Sequence, residues 1–252
     1  MKPLARWSSL VLFVALLTGG PGPGPVRAAA ATGGGASIGT LARSSSGWFS
    51  APVHSGPSGA SEQIGRLGEP GGPPPVVLVT EALNDGWAHV QLPERATATG
   101  AAKGAATGAG PRTGWVSADA LSLAEAEHRI TIDRAAHRLT VTRRGRVVRI
   151  MRAAVGRSRT PTPAVSTFVV AVAKPIEATT ALGPFTLHLA AWSETFAGYA
   201  ADATWDGLVI QGTNCPASCL GRSVTNGSVR VSNDDVAWLA RYLPVGTPVR
   251  IT

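Results

Sequence analysis

The stretch Arg129-Ile-Thr-Ile-Asp-Arg-Ala-Ala-His-Arg-Leu-Thr-Val141 indicates the fold class of this chain. Ile130 and Ile132 alternate with polar residues, and Leu139 and Val141 repeat the alternation after a turn over 133–138. An apolar side chain at every second position is typical of a strand with one buried face. The stretch therefore predicts two strands joined by a turn.

The sequence on the C-terminal side extends this β pattern and adds a helix. Apolar residues over 147–155 and 168–173 predict further strands. Ser232-Asn-Asp-Asp235 has the form of a capping box, and apolar residues follow it at helical spacing until Pro244. Residues 246–251 read as a closing strand. We expect a mainly β domain with one or two helices.

The sequence before residue 129 predicts a smaller β-domain. Strand-like runs occur at 76–79, 87–92 and 114–116, with turn residues between them. Between the last two runs, residues 95–113 are rich in Ala, Gly and Thr, and we interpret them as a low-complexity loop inserted into this domain.

The N-terminal residues have the three parts of a secretory signal. A basic start is followed by eight apolar residues from Leu10 to Leu17 and then by Ala28-Ala-Ala-Ala31, a small-residue cleavage site. Eight apolar residues are too few to span a bilayer. We expect a signal peptide over 1–30, a flexible Gly/Ala-rich lead over 31–47, and a secreted, extracytoplasmic protein without a transmembrane anchor after cleavage.

Composition excludes several functional classes. Two cysteines cannot form a four-cysteine zinc site, and we expect neither a metal nor another cofactor.

The net charge is +8, and ten arginines lie between positions 129 and 159. If strand alternation places many of them on one face, that face can hold anionic wall polymers or lipid headgroups. Nucleic acid is not an expected partner of a secreted protein.

Several motifs of the second half resemble the L,D-transpeptidase catalytic domain, whose members cross-link peptidoglycan stem peptides. The similarity covers about residues 129–252, in order and with matching spacing. The motifs are Gly156-Arg-Ser-Arg-Thr-Pro-Thr-Pro163, Ala181-Leu-Gly-Pro-Phe185, Gly207-Leu-Val-Ile-Gln-Gly-Thr-Asn214, Thr225-Asn-Gly-Ser-Val-Arg230 and Gly246-Thr-Pro-Val-Arg-Ile251.

The resemblance implies two domains. Residues 125–252 are expected to form an L,D-transpeptidase-like β-sandwich with one or two helices. Residues 48–124 are similar to the SH3-like module that often precedes it, a small β-barrel, through Gly86-Trp87, Leu92-Pro93 and Gly114-Trp-Val116.

The resemblance also places the site, and there this sequence departs from the family. A cysteine thiolate attacks the peptide carbonyl in the family and a histidine takes its proton; Ser228 and Gln211 occupy those two positions. A serine hydroxyl needs a general base more than a thiol does, and Gln cannot accept a proton at physiological pH. Gly227 corresponds to the oxyanion loop, and Arg230 to the residue that braces this loop or holds substrate.

Other residues of the predicted groove match the family, which indicates a binding site without the reaction. We predict binding roles for Gly212, Thr213, Asn214, Thr225, Asn226, Trp192 and His188. Passive maintenance of the fold explains the same residues equally well.

Three functional hypotheses follow. The first is a secreted pseudoenzyme that binds stem peptides or a cell-wall enzyme. The second is an active variant with Ser228 as nucleophile and His188 as a relocated base, although His188 also reads as an ordinary half-exposed strand residue. The third is a structural module that binds wall polymers through its arginines.

Cys215 and Cys219 are predicted to form a local disulfide, with a displaced nucleophile or a labile redox pair as alternatives.

Overall fold

A computed structural model describes residues 37–41, 50–68, 75–80, 84–97, 106–175, 181–193, 205 and 207–252. The predicted signal peptide over 1–30 lies outside these residues. The architecture is mainly β with one α-helix among the described residues, which confirms the predicted fold class.

The first half forms one seven-stranded antiparallel sheet, in which the strands follow the order β3-β2-β6-β5-β4-β1-β7. Its strands are β1 Ser37–Leu41, β2 Ala51–His54, β3 Gln63–Leu67, β4 Val76–Val79, β5 Trp87–Thr97, β6 Ala106–Ser117 and β7 Leu121–Glu125. Val53, Val77, Val90 and Val116 are buried in its core. The SH3-like assignment of this half stays a prediction.

Two expectations about this half are wrong. The predicted lead over 31–47 contains β1, which pairs with β4 and β7. The predicted loop over 95–113 is strand at both ends, since Arg95 pairs with Pro111 and Thr97 with Ala106. Residues 98–105 of that segment are outside the described part of the chain.

The second half forms an eight-stranded mixed sheet in the order β10-β9-β8-β17-β12-β13-β14-β16, and β11 and β15 form a separate two-stranded parallel sheet. The strands are β8 His128–Asp133, β9 Arg138–Arg143, β10 Arg146–Arg152, β11 Val155–Gly156, β12 Ser166–Ala173, β13 Thr186–Leu189, β14 Val209–Gln211, β15 Ser223–Thr225, β16 Val229–Arg230 and β17 Pro248–Ile251.

The pairing of β8 with β9 confirms the predicted hairpin. Ile130 lies opposite Val141 and Ile132 opposite Leu139, and all four side chains are fully buried. Side chains of a strand alternate between the two faces, so these pairs share the core face while the intervening threonines and arginines face outward.

Helix α1 (Asn233–Tyr242) covers the core face of the eight-stranded sheet. Ser232 caps it, because the Ser232 hydroxyl accepts a hydrogen bond from the Asp235 N–H at 3.1 Å. Val236 and Leu239 are fully buried in the same cluster as the apolar residues of β8, β9, β13 and β14. The opposite face of β13, β14 and β16 does not pack against α1.

The two sheets contact each other near one end of that opposite face. Leu78 of β4 packs in a buried cluster with Phe168 of β12 and with Trp192. Gln91 Nε2 also donates to the Ser166 carbonyl oxygen at 3.4 Å. The first half of the chain therefore packs beside the region that carries the predicted site.

Candidate functional site

The register of three neighbouring strands brings the predicted site residues onto one face. Gln211 of β14 lies opposite Thr186 of β13 and beside Arg230 of β16. His188 follows Thr186 by two residues, and Ser228 precedes Arg230 by two, so alternation places both on this same face. We call Gln211, Ser228, Arg230, Thr186 and His188 the polar face. Leu187, Ile210 and Val229, at the intervening positions, belong to the core.

Gln211 and Ser228 are both buried and lack side-chain partners. The exposed fraction is 3% for Gln211 and 6% for Ser228. Among the described residues, neither the Gln211 carboxamide nor the Ser228 hydroxyl makes a side-chain hydrogen bond. The buried side-chain atoms without a hydrogen-bond partner in the described part of the chain are Gln91 Oε1, Trp205 Nε1 and Arg230 Nε, and the polar atoms of Gln211 and Ser228 are not among them.

Arg230 has a buried, unsatisfied group on this face. Its Nε is buried and has no hydrogen-bond partner. Burial lowers the pKa of the Arg230 guanidinium below its ordinary value, because the charged form loses water. Its backbone is held firmly, since its N–H and C=O exchange hydrogen bonds with Ala154 at 2.9 and 2.8 Å.

The turn before Ser228 is fixed by hydroxyl groups. Thr225 Oγ1 donates to the Ser228 carbonyl oxygen at 2.6 Å and accepts from the Gly227 N–H at 3.0 Å. Thr162 Oγ1 donates to the Gly227 carbonyl oxygen at 2.7 Å. The Gly227 N–H is thus already bonded and cannot serve an oxyanion, which leaves the Ser228 N–H as the candidate in this turn.

The segment after β14 is braced by a side chain of α1. Asn233 Oδ1 accepts a hydrogen bond from the Thr213 N–H at 2.9 Å. A Cβ atom at Gly212 would lie 2.3 Å from Asn233 Oδ1 and 2.9 Å from the Gly183 Cα atom, so only glycine fits at this close approach. Asn214 and Asn226 are exposed, and Arg157 donates to Asn226 Oδ1.

His188 is buried at 6% exposure, so the interpretation as a half-exposed strand residue is wrong. Its Nε2 lies 3.2 Å from Thr186 Oγ1, and its ring stacks on Trp205 with 5.5 Å between the ring centroids. Trp192, for which we predict a binding role, is 3% exposed and packs 5.9 Å from the Trp205 ring.

Cys215 and Cys219 form a disulfide. The bond closes a short loop that begins directly after Asn214 and contains a 3-10 turn over Ala217–Cys219. Neither sulfur is a thiol in this state, so neither can act as a displaced nucleophile.

The arginines of residues 129–159 do not share one face. Arg149 points toward α1, where it pairs with Asp235 at 2.7 Å and lies 4.9 Å from the centroid of the Trp238 ring. Arg143 and Arg144 both pair with Glu127. The expectation of a single arginine-lined face is therefore wrong for this part of the cluster.

Within the described ranges, no three His, Cys, Asp or Glu side chains lie close enough together to hold a metal ion. No helix in the described part of the chain has the length and apolar character that a membrane crossing requires.

The eight-stranded sheet, the helix α1 that covers it and the polar face together form a mainly β domain. Residues 127–251 match the family model of the L,D-transpeptidase catalytic domain (YkuD). These residues therefore form a domain that belongs to the L,D-transpeptidase catalytic-domain family. The Gly156, Gly183 and Gln211 motifs fall within the matched residues.

Solved structures of the same family are similar to this chain. An L,D-transpeptidase from Mycobacterium smegmatis is 20% identical, with 66% of this chain and 90% of that chain covered and a TM-score of 0.41. L,D-transpeptidase 3 from Mycobacterium tuberculosis, in complex with a faropenem-derived adduct, is 15% identical, with 71% and 91% covered and a TM-score of 0.45. The L,D-transpeptidase from Xylanimonas cellulosilytica is 24% identical, with 50% and 61% covered and a TM-score of 0.36. No curated protein matches the chain significantly.

Proposed function

We propose that this protein is a secreted, catalytically degenerate L,D-transpeptidase that binds peptidoglycan stem peptides without cross-linking them. The observation that carries the proposal is the pair Gln211 and Ser228, which occupy the base and nucleophile positions implied by the family motifs. Both residues are buried, and neither side chain makes a hydrogen bond with the described residues.

The chemistry of this pair argues against acyl transfer. A serine hydroxyl is un-ionised at neutral pH and becomes a nucleophile only when a base takes its proton. The Gln211 carboxamide cannot do so. Loss of a catalytic serine's partner base lowers the rate by about a million-fold in a well-studied hydrolase, so we expect no measurable turnover.

His188 is poorly placed to replace the missing base. It lies opposite Val209, and Ser228 lies beyond Val209 on the next strand. Two strand spacings separate the Cα atoms of His188 and Ser228 by roughly 9.5 Å. The imidazole also contacts the Thr186 hydroxyl and stacks on the Trp205 ring.

The same polar face suits a peptide ligand. A carboxamide offers both a donor and an acceptor to a backbone amide, and Arg230 supplies a guanidinium for a carboxylate. Stem peptides contain both groups. A bound peptide would satisfy Arg230 Nε, which is buried and has no partner among the described residues, and this supports binding as the retained activity.

The disulfide supports the proposed location. Disulfides persist in oxidising compartments and are rare in reducing ones. The bond between Cys215 and Cys219 therefore favours an extracytoplasmic protein, in agreement with the signal sequence expected over 1–30. A cell-wall enzyme is a second class of partner for the same face.

Binding is tested with the full mature chain and a soluble stem tetrapeptide by calorimetry. We expect saturable binding that weakens about ten-fold in Gln211→Ala, since the hydrogen bonds of one buried group are lost. Gln63→Ala is the matched control, because Gln63 is an exposed glutamine on β3 in the other sheet. Equal affinities for the two variants and the wild type would contradict binding at the polar face.

Catalytic degeneracy is tested by intact-mass measurement after carbapenem treatment, because active members of the family form a covalent adduct with these compounds. We expect no adduct on the wild-type chain. An adduct that disappears in Ser228→Ala would overturn the proposal and establish the active variant, with His188 the first base to test by substitution.

A double substitution tests whether the groove itself persists. Ser228→Cys with Gln211→His restores the family's residue types at both positions, and the expected result is a carbapenem adduct at residue 228. Ser228→Cys alone is the control for intrinsic thiol reactivity. If the double variant forms no more adduct than the single one, the groove no longer accepts a family ligand.

A further inference from the structure

A shallow surface depression of about 330 Å³ lies outside the polar face. It is formed by the turn between β8 and β9, by the end of β10 and by the segment before β15. Its lining consists of Ala136, His137, Arg138, Ile150, Met151, Arg152 and Gly221. None of these seven residues is acidic, and three of them carry a guanidinium or an imidazole.

Arg152 is held in a fixed position at this depression. Its Nη2 donates to the Leu220 carbonyl oxygen at 2.7 Å. Gly221 lets the guanidinium lie flat against the backbone, since a Cβ atom there would come within 2.8 Å of Arg152 Nη2. Gly221 also has a φ of +87°, which disfavours any other residue. One guanidinium edge is thus fixed, and its remaining N–H groups are available to a ligand.

His137 is positioned by a side chain from another element. Its Nε2 lies 2.9 Å from Ser223 Oγ on β15. When Nε2 accepts the hydroxyl proton, the ring hydrogen is on Nδ1, and a protonated ring donates from both nitrogens. His137 also has a φ of +51°, a strained conformation for a residue with a side chain.

Arg138 completes a positively charged rim. Its closest described carboxylate is Asp133, at 3.9 Å, and both side chains are substantially exposed. A contact of this length between exposed groups contributes little, so the Arg138 guanidinium remains available to an incoming anion.

Ile150 supplies an apolar contact beside these charges. Its side chain is 60% exposed, and Val147 on the same strand is 58% exposed. A free inorganic anion would gain nothing from them, whereas the carbon skeleton of an organic ester would cover apolar surface.

We propose that this depression binds the phosphate group of a phosphate ester, with Arg152 and Arg138 pairing with the phosphate oxygens. His137 donates a further hydrogen bond, and Ile150 contacts the ester's carbon atoms. Planar guanidinium groups fit phosphate oxygens closely, and charge-assisted hydrogen bonds are the strongest available here. The phosphate comes either from a soluble polyol phosphate of the wall or from a lipid headgroup. This inference does not depend on the proposed stem-peptide binding.

The test is an NMR titration of the disulfide-intact mature chain with glycerol 3-phosphate, followed at the Gly221 and His137 amide signals. We expect saturable shifts at both signals. Arg152→Gln should weaken binding about ten-fold. Arg138→Gln is the second variant, and its replacement leaves the fold intact because the Arg138 side chain is exposed. Arg129→Gln is the matched control, because it removes the same charge from an exposed position outside the depression.

A second arm uses vesicles containing phosphatidylglycerol in a co-sedimentation assay. Vesicle binding that is lost in Arg152→Gln, without binding of the free ester, would assign the phosphate to a lipid headgroup. Saturable binding of glycerol 3-phosphate would assign it to a soluble ester. Absence of binding in both arms would overturn the proposal. An equal loss of binding in Arg129→Gln and in Arg152→Gln would also overturn the proposal, because binding would then depend on net charge alone.

Discussion

Replacing Gln211 by leucine tests the central observation, that the carboxamide has no partner in the free protein. Leucine is close to glutamine in size but has no polar atoms, so it removes the unsatisfied group without leaving a large cavity. Gln211 is 3% exposed and lies on β14 between β13 and β16. A substitution there acts on buried contacts rather than on solvent.

The expected effect is a gain in stability. Because the Gln211 carboxamide makes no hydrogen bond with the described residues, its replacement removes none, while a buried leucine side chain contributes about 1.5–3 kcal/mol. The substitution should therefore raise the free energy of unfolding by about 1–2 kcal/mol. For a chain of this size, the melting temperature should rise by roughly 2–8 °C. The same variant should no longer bind the stem peptide. A gain in stability together with a loss of binding would show that Gln211 serves the ligand rather than the fold.

The assay is urea denaturation followed by tryptophan fluorescence, with calorimetry for the peptide. Thr167→Val is the control, because it should change stability in the opposite direction. Thr167 Oγ1 donates to the Ala190 carbonyl oxygen at 2.6 Å, and both residues are buried, so the isosteric valine should lower stability by about 1–2 kcal/mol. If Gln211→Leu also unfolds at lower urea than the wild type, the carboxamide is satisfied in the folded state.

Three further predictions concern stability. Removing the disulfide with Cys215→Ser and Cys219→Ser should lower the free energy of unfolding by about 2 kcal/mol, as expected for so short a closed loop, and an unchanged urea midpoint would contradict this. Burial lowers the pKa of His128 below 6.5, so the unfolded chain binds more protons than the folded one. Stability should therefore fall as pH drops below 6.5, and less steeply in His128→Phe; parallel pH profiles would refute the assignment. Gly212→Ala should lower stability by about 2 kcal/mol in thermal melts because its Cβ would meet Asn233 Oδ1, whereas a neutral result would mean that α1 can move away.

Local sequence patterns predicted the strands and the helix whose buried residues recur at a regular spacing. The alternation of Ile130 and Ile132 was enough to predict β8, and the capping box at Ser232 was enough to predict α1, because each pattern is contained within a few residues. Strand β1 could not be predicted in the same way. Ser37–Leu41 has a composition typical of a linker, and it forms a strand because β4 and β7 supply backbone partners on both sides.

The amino-acid sequence by itself determined the chemistry available to this protein. Its motifs placed a hydroxyl at residue 228 and a carboxamide at residue 211, and no arrangement of the chain makes a carboxamide a base. Only the tertiary structure decided which groups surround them. The pairing of β13, β14 and β16 placed Gln211, Ser228 and Arg230 on one face, and the hairpin turn after β8 brought His137 beside Arg152. These arrangements depend on strand register between segments far apart in the chain, and register is set by the packing of the whole core rather than by any local pattern.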